Sequence, residues 1–428
     1  MTENHLHYTG PPLLRLAGLK TSQLPAPSAT ADELRPFVTQ LLQEAVPFID
    51  TAAPRAAAGG TPDHHHHATP KALWKSKGVK TQPGSDARVE VTERVAVLTA
   101  TGTASGAMEK DTWVCRRSVH ADSAVGGSAS WAEFVDCIRD RHAETEDAFT
   151  PGVMAHRTAV TWLDGGGGGG GGAVASSSSS SSSPPPPPVE VGGVRWGRFG
   201  LYLVEMKHKI PPPLKPRVFS VVQLIASAVG GGDGDESQGQ GQDEFVVVSV
   251  TVDDFAEGAL KGRAELSAEK GVVIGAYASV ERVRRLPSPG GEIEWIMATT
   301  SDAKGVLPMW VQTRAVPGQV AKDVGMFLSW IAEERGKKAR LPARSIGCLG
   351  TASKALMLPS GCCMTPTGAR LWSPLRTPTP RSGPGSLGGL VRAPGQSPAP
   401  GWATPTAAAR SRGWGTRSTL VALAVLES

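Results

Sequence analysis

The residues that most often carry catalysis are scattered in this 428-residue chain. His120, His142, His156 and His208 form no spaced set. No GxSxG nucleophile elbow, HExxH zinc motif or P-loop is present. The run Gly165–Gly172 satisfies any glycine pattern trivially and opens no helix. Asp253 and Asp254 could be a carboxylate pair, but neighbours on a strand point to opposite faces. Cys115 and Cys137 have no evident activating base. His64–His67 beside Asp63 could catch a metal, yet no spaced partner on a rigid element accompanies them. The expectation is therefore no catalytic residue, no metal and no cofactor.

Composition shows which segments could position any site. Gly (51) and Pro (35) make up about a fifth of the chain, against a usual ~12%. Much of that excess is local: eight Gly, eight Ser (Ser176–Ser183) and five Pro (Pro184–Pro188) follow one another closely, an inserted coil and stiff spacer expected to be disordered over 164–188. Arg340–Ser428 carries ten basic residues and one acid, so the net +5 of the whole chain leaves the first 339 residues at −4. The basic pI thus belongs to the tail, and a nucleic-acid partner is not expected. Residues 339–428 read as a disordered basic tail, such as read-through sequence or a protein-interaction scaffold. The five cysteines show no CxxC and suit a reducing, cytoplasmic setting. The longest nearly uncharged apolar run, Val218–Val229, is too short to span a bilayer.

Between these patches the hydrophobic period is regular. Leu34, Phe37, Val38, Leu41, Leu42 and Ala45 follow a helical stripe over 31–47, with Pro36 tolerable only in a first turn. The rest of 1–109 reads as low-complexity linker. Thr112–His120 reads as a strand, and Ser130 with Glu133 forms a capping box opening a helix to about Ala143. Period-two segments follow at Val153–Leu163, Gly200–Ile210, Arg217–Ala226, Glu244–Val252, Val272–Val283 and Glu292–Thr300. In the last of these, Ile293, Trp295 and Met297 oppose Glu294, Ile296 and Ala298. After Pro317-Gly318, residues Val320, Val324, Phe327, Leu328 and Ile331 make a long helix with Lys322, Asp323, Glu333 and Glu334 largely off its stripe. The fold class expected is α+β over 110–338, a twisted antiparallel sheet around a long C-terminal helix.

Several of these segments resemble a known family. WVCRRSVHAD (113–122), GRFGLYLVEMKHKIPPPLKPRVFSVV and the block Gly271–Ile331 are similar to the fungal DUF3074 family of the START-like, helix-grip superfamily. The acidic-plus-glycine turn at Asp302–Gly305, followed by Pro308 and Trp310, is similar to the step into the lid helix of START domains. The resemblance implies a lipid or other hydrophobic small molecule held in a cavity under the C-terminal helix. Arg217, Tyr277, Glu294, Trp295, Trp310, Val324 and Phe327 are the candidate ligand-binding residues. Lys207, Lys209, Lys215 and Arg217, with Arg282, Arg284 and Arg285, could make transient contact with an anionic membrane surface. The alternative is a helix-grip enzyme of cyclase or hydratase type, which would place a carboxylate or His at the floor of a polar cavity.

Overall fold

The computed structural model describes residues 12–54, 73–99, 108–165, 186–210, 212–230, 243–306 and 309–340. The His64–His67 metal reading, the Gly/Ser/Pro run over 166–185 and the tail over 341–428 lie outside the described residues. Among the described residues no helix is long and apolar enough to cross a membrane.

Helix α1 (Ala31–Asp50) starts at Thr30, whose hydroxyl accepts from the Glu33 amide while the Glu33 carboxylate accepts from the Thr30 amide. That box places Pro36 in the second turn, not the first. The lost bond to the Asp32 carbonyl costs little because Asp32 is exposed to water. The expected stripe is buried, and Val46 and Ile49 extend it to 50.

Eleven strands follow among the described residues, with the path β1-β2-β3-β11-β10-β8-β7-β6-β4. They are β1 (Lys75–Thr81), β2 (Arg88–Thr99), β3 (Met108–His120), β4 (Val153–Asp164), β5 (Val189–Val191), β6 (Val194–His208), β7 (Arg217–Ala228), β8 (Glu244–Thr251), β9 (Val273–Ile274), β10 (Ala276–Arg285) and β11 (Ile293–Asp302). Pairing along the path is antiparallel, and the short β9 adds one parallel contact to β7. Strands β1 and β2 lie before the expected boundary at 110, and β2 pairs with β3 from Glu90 to Thr99. The sheet therefore reaches back into the segment read as linker.

The capping box at Ser130 opens α2 (Trp131–Phe134). The expected continuous helix is instead interrupted by a π turn over Val135–Asp140 before α3 (His142–Phe149). The C-terminal helix is longer than expected. It starts as α4 (Met309–Val320), contains Pro317, breaks at Ala321 and resumes as α5 (Lys322–Arg340). Pro317 removes one helical hydrogen bond and crowds the preceding turn, and Gly318 adds freedom beside it.

The two faces of the sheet bury two separate cores. On the outer face α1 packs Leu34, Leu41 and Leu42 against Trp113, Leu201, Leu224, Val248 and Val280. On the inner face α2, α4 and α5 pack Phe134, Val316, Val324 and Phe327 against Val91, Phe219, Val247 and Trp295. The inner face is the gripped side, and it holds the candidate site.

Candidate functional site

Strand register builds the site. Arg116 on β3, Met297 on β11 and Glu281 on β10 stand side by side on the inner face, continued by Val247 and Ile225. Arg116 reaches past Met297 to donate from Nη2 to Glu281 Oε1 at 3.1 Å. Trp295 Nε1–H donates to the same oxygen at 2.6 Å, and its ring lies 4.0 Å below the Arg116 guanidinium carbon. From α5, Asp323 places Oδ2 3.7 Å from Arg116 Nε. From α3, His142 lies 3.9 Å from Glu281 and 3.8 Å from Glu146. Its Nδ1 donates to the Ile138 carbonyl at 2.8 Å, which fixes the tautomer.

One guanidinium thus faces two carboxylates, Glu281 and Asp323, while Glu146 lies 3.8 Å from His142. Burial pushes the Asp323 carboxyl well above the usual range; the Glu146 and Glu281 carboxylates add to this, and Arg116 only partly opposes it. Burial raises Glu146 as well, with Glu281 adding to it against the pull of His142. Asp323 Oδ1 is buried without a hydrogen-bond partner among the described residues. Nearby, burial and the Arg116 charge hold the His120 imidazole down to about 4, so it is neutral.

A polar row runs beside this cluster. Thr299, Ser279, Ser249, Gln223 and Tyr202 pair in register across β11, β10, β8, β7 and β6. Ser279, Tyr202, Tyr277 and Met297 on this inner face keep partial exposure. Their outer-face neighbours Ala278, Val280, Ile296 and Ala298 are 0% exposed. Around these positions the inner face is less completely covered than the outer. A separate cavity of about 80 Å³ lies toward α4, lined in part by Thr112, Val114, Ser301 and Val316. That is well short of the roughly 300–1,000 Å³ of ligand pockets.

A family model described as "Protein of unknown function (DUF3074)" matches residues 113–331, just over half of the chain. The chain belongs to the DUF3074 family. The DUF3074 match runs from Trp113 to Ile331 and so contains Arg116, His142, Glu146, Glu281, Trp295, Asp323 and Phe327. No curated protein matches the chain. Among solved structures, the crystal structure of human STARD10 is similar at 11% identity and a TM-score of 0.35, covering 67% of this chain and 87% of that one. Human StAR-related lipid transfer protein 5 is similar at 11% identity and 0.37, covering 71% and 99%. The lipid transfer and protein localization domain of human StarD13 (DLC2) is similar at 9% and 0.32, covering 68% and 96%.

The seven expected residues divide between places in this DUF3074 chain. Trp295, Val324 and Phe327 come together on the inner face, with Trp295 and Phe327 edge to face at 5.3 Å. Tyr277 faces the same side from β10, packed on Phe219 at 5.5 Å. Burial, with Glu146 behind it, raises its phenol. Glu294 faces the other way. There it accepts from Arg117 at 2.7 Å and lies 2.6 Å from Arg284 and 3.3 Å from Arg282. Burial alone would raise the Glu294 carboxyl, but the three arginines outweigh it and hold it below the ordinary range. Arg217 is 1% exposed and donates from Nε to the Ala303 carbonyl at 2.6 Å and from Nη2 to the Lys304 carbonyl at 3.3 Å. It staples β7 to the turn before α4. The backbone of Trp310 lies in α4, and its side chain is outside the described residues.

The expected basic surface also divides. Arg282 and Arg284 are buried against α1, where they donate to Asp50 and to the Ala53 and Pro54 carbonyls at the helix end. Arg285 pairs with Asp122 and Asp243, and Lys207 with Glu269. Those four residues are held by protein partners, which removes them from any free membrane-facing patch.

Sequence reasoning missed Arg116, Glu281 and Asp323. Asp323 lies off the apolar stripe in the sequence, yet it is 4% exposed. It precedes Phe327 by four residues and follows Val320 by three, the spacing of one helix face. Arg116 and Glu281 each sit at the inward step of an alternating strand, a signal that polar residues obscure.

Proposed function

We propose that this chain binds a lipid or other apolar small molecule between the inner face of its sheet and α5. The observation that carries the reading is the contrast in filling. Tyr277, Ser279 and Met297 on the inner face of β10 and β11 keep partial exposure beside a buried charged cluster, while Ala278, Val280, Ile296 and Ala298 on the outer face are fully buried. Apolar contact with Trp295, Val324 and Phe327 would supply affinity at roughly 25 cal/mol per Å² buried. The cluster around Arg116 would orient a polar end. Phe327 packs closely on Trp295, so entry of a chain-like ligand requires α5 to move outward.

The full-length protein, purified and analysed by native mass spectrometry and lipid extraction, tests this. Bound lipid or uptake of a fluorescent alkyl probe is expected. A protein that purifies empty and takes up no probe sinks the reading.

One observation favours an enzyme of cyclase or hydratase type as the second reading. Asp323, pushed toward its protonated form, sits across Arg116 from Glu281, a pairing suited to acid and base roles. That reading requires turnover of a bound ligand. Recovery of the extracted ligand chemically unchanged after incubation would count against it.

A further inference from the structure

Toward α4 the sheet opens into a small cavity whose walls share no residue with the cluster around Arg116. The register between β3 and β11 stops at Thr299 opposite Val114. Beyond that pair β3 continues with β2, and β11 with β10, so the two strands part. Lys110 and Thr112 on one strand and Ser301 on the other are left beside a gap of about 80 Å³, which Leu16 and, from α4, Thr313 and Val316 close. At about 30 Å³ per water, that gap takes two or three waters or one compact group of the same size.

The lining sets the chemistry of such a group. Thr112, Ser301 and Thr313 carry hydroxyls, which donate or accept and so suit a ligand of either sign. Fixed charge therefore decides, and among the described residues Lys110 brings the only one to the wall. Its ammonium donates and cannot accept. The acids that follow Lys110 and Ser301 in the chain are already engaged. Asp111 accepts from the Leu16 amide at 3.0 Å, and Asp302 accepts from the Lys304 amide at 2.8 Å and the Gln312 side chain at 3.2 Å. The Ser301 hydroxyl oxygen is buried with no hydrogen-bond partner among the described residues. Lys110 is exposed and stands at the mouth, while the three hydroxyl residues are half-buried.

We propose that this gap is a site for one tetrahedral oxyanion of the phosphate type, held by the Lys110 ammonium and the hydroxyls of Thr112, Ser301 and Thr313. Inorganic phosphate and the phosphate end of a larger molecule share that chemistry. The inference makes no use of the lipid reading and stands or falls without it.

Calorimetry on the full-length protein with inorganic phosphate, against chloride of matched ionic strength, is the test. Saturable binding, competed by sulfate, is expected. Lys110→Met should weaken it about tenfold, the equivalent of one charge-assisted hydrogen bond. Ser301→Ala, which removes a hydroxyl without a described protein partner, should weaken it roughly threefold. Lys270→Met, at an exposed lysine elsewhere, should leave it unchanged. Absence of saturable binding, or a loss in Lys110→Met no greater than in Lys270→Met, overturns the site. Decyl phosphate separates the two sources. Binding tighter than inorganic phosphate, yet weakened by Lys110→Met, supports the site as one for a phosphate headgroup, and binding equal to inorganic phosphate supports it as one for the free ion. Uptake of the fluorescent alkyl probe by Lys110→Met reports on the lipid reading separately.

Discussion

The two faces of one sheet use the same residue types to opposite ends. On the outer face Arg282, Arg284 and Arg117 converge on Glu294, with Asp50 and the carbonyls ending α1 taking further donors. Glu244, 3.7 Å from Arg282, brings the acids to three against the three arginines. On the inner face Arg116 meets Glu281 and Asp323, with Glu146 joined through His142, and burial pushes Asp323 and Glu146 toward neutrality. A buried ion cluster that is balanced fixes how a helix seats on a sheet. One that is unbalanced stores a demand that a ligand could meet.

Substitutions can break that comparison. Glu294→Ala has the largest expected effect, a loss of about 3–5 kcal/mol, because it strands buried arginines. Denaturant unfolding would measure it, and a loss below about 1 kcal/mol would show the outer cluster to be dispensable. Leu42→Ala, on the seam between α1 and the sheet, should cost about 2–5 kcal/mol by the same measurement. It should leave alkyl-probe affinity unchanged, and a parallel loss of binding would mean the faces are not independent.

Asp323→Asn should act in the reverse direction. In the wild type the native state holds the Asp323 proton when the unfolded state has lost it. Stability from this group is therefore lost as pH rises above the ordinary carboxylate range. The variant should gain on the order of 1 kcal/mol at pH 8 and nothing near pH 4. Equal stability at both pH values would sink the claim that Asp323 is an unmet charge. Arg335→Met has the smallest expected effect. Arg335 ties α5 to Glu133 at 2.7 and 2.8 Å and to the Val125 and Ser128 carbonyls. Its loss should cost about 1 kcal/mol and speed exchange of a bound probe, read by stopped-flow fluorescence. Unchanged exchange would place ligand entry elsewhere.

Sequence patterning showed one of these faces better than the other. Alternation along β11 separated Ile293, Trp295 and Met297 from Glu294, Ile296 and Ala298 correctly, because both faces of that strand are packed. The α1 stripe was equally plain. Strand β1 was missed because all seven of its residues are exposed and no alternation survives on an edge. The inner cluster was missed for a different reason. Arg116, Glu281 and Asp323 are charged residues at inward positions, where period-based reading expects apolar ones, and only pairing across β3, β11, β10 and α5 shows that they meet.

The break at Ala321 has a mechanical consequence. Helix α5 is 19 residues long, a rod of about 28 Å. A tilt of about 20° pivoting at its first residue would carry its far end roughly 10 Å while moving Asp323 less than about 1 Å. With Arg217 anchoring the turn before α4, such a lever would open an aperture wide at the Arg335 end and leave the charged cluster at the fulcrum. A ligand would then travel tail-side through the moving end, and its polar group would meet a socket that hardly shifts.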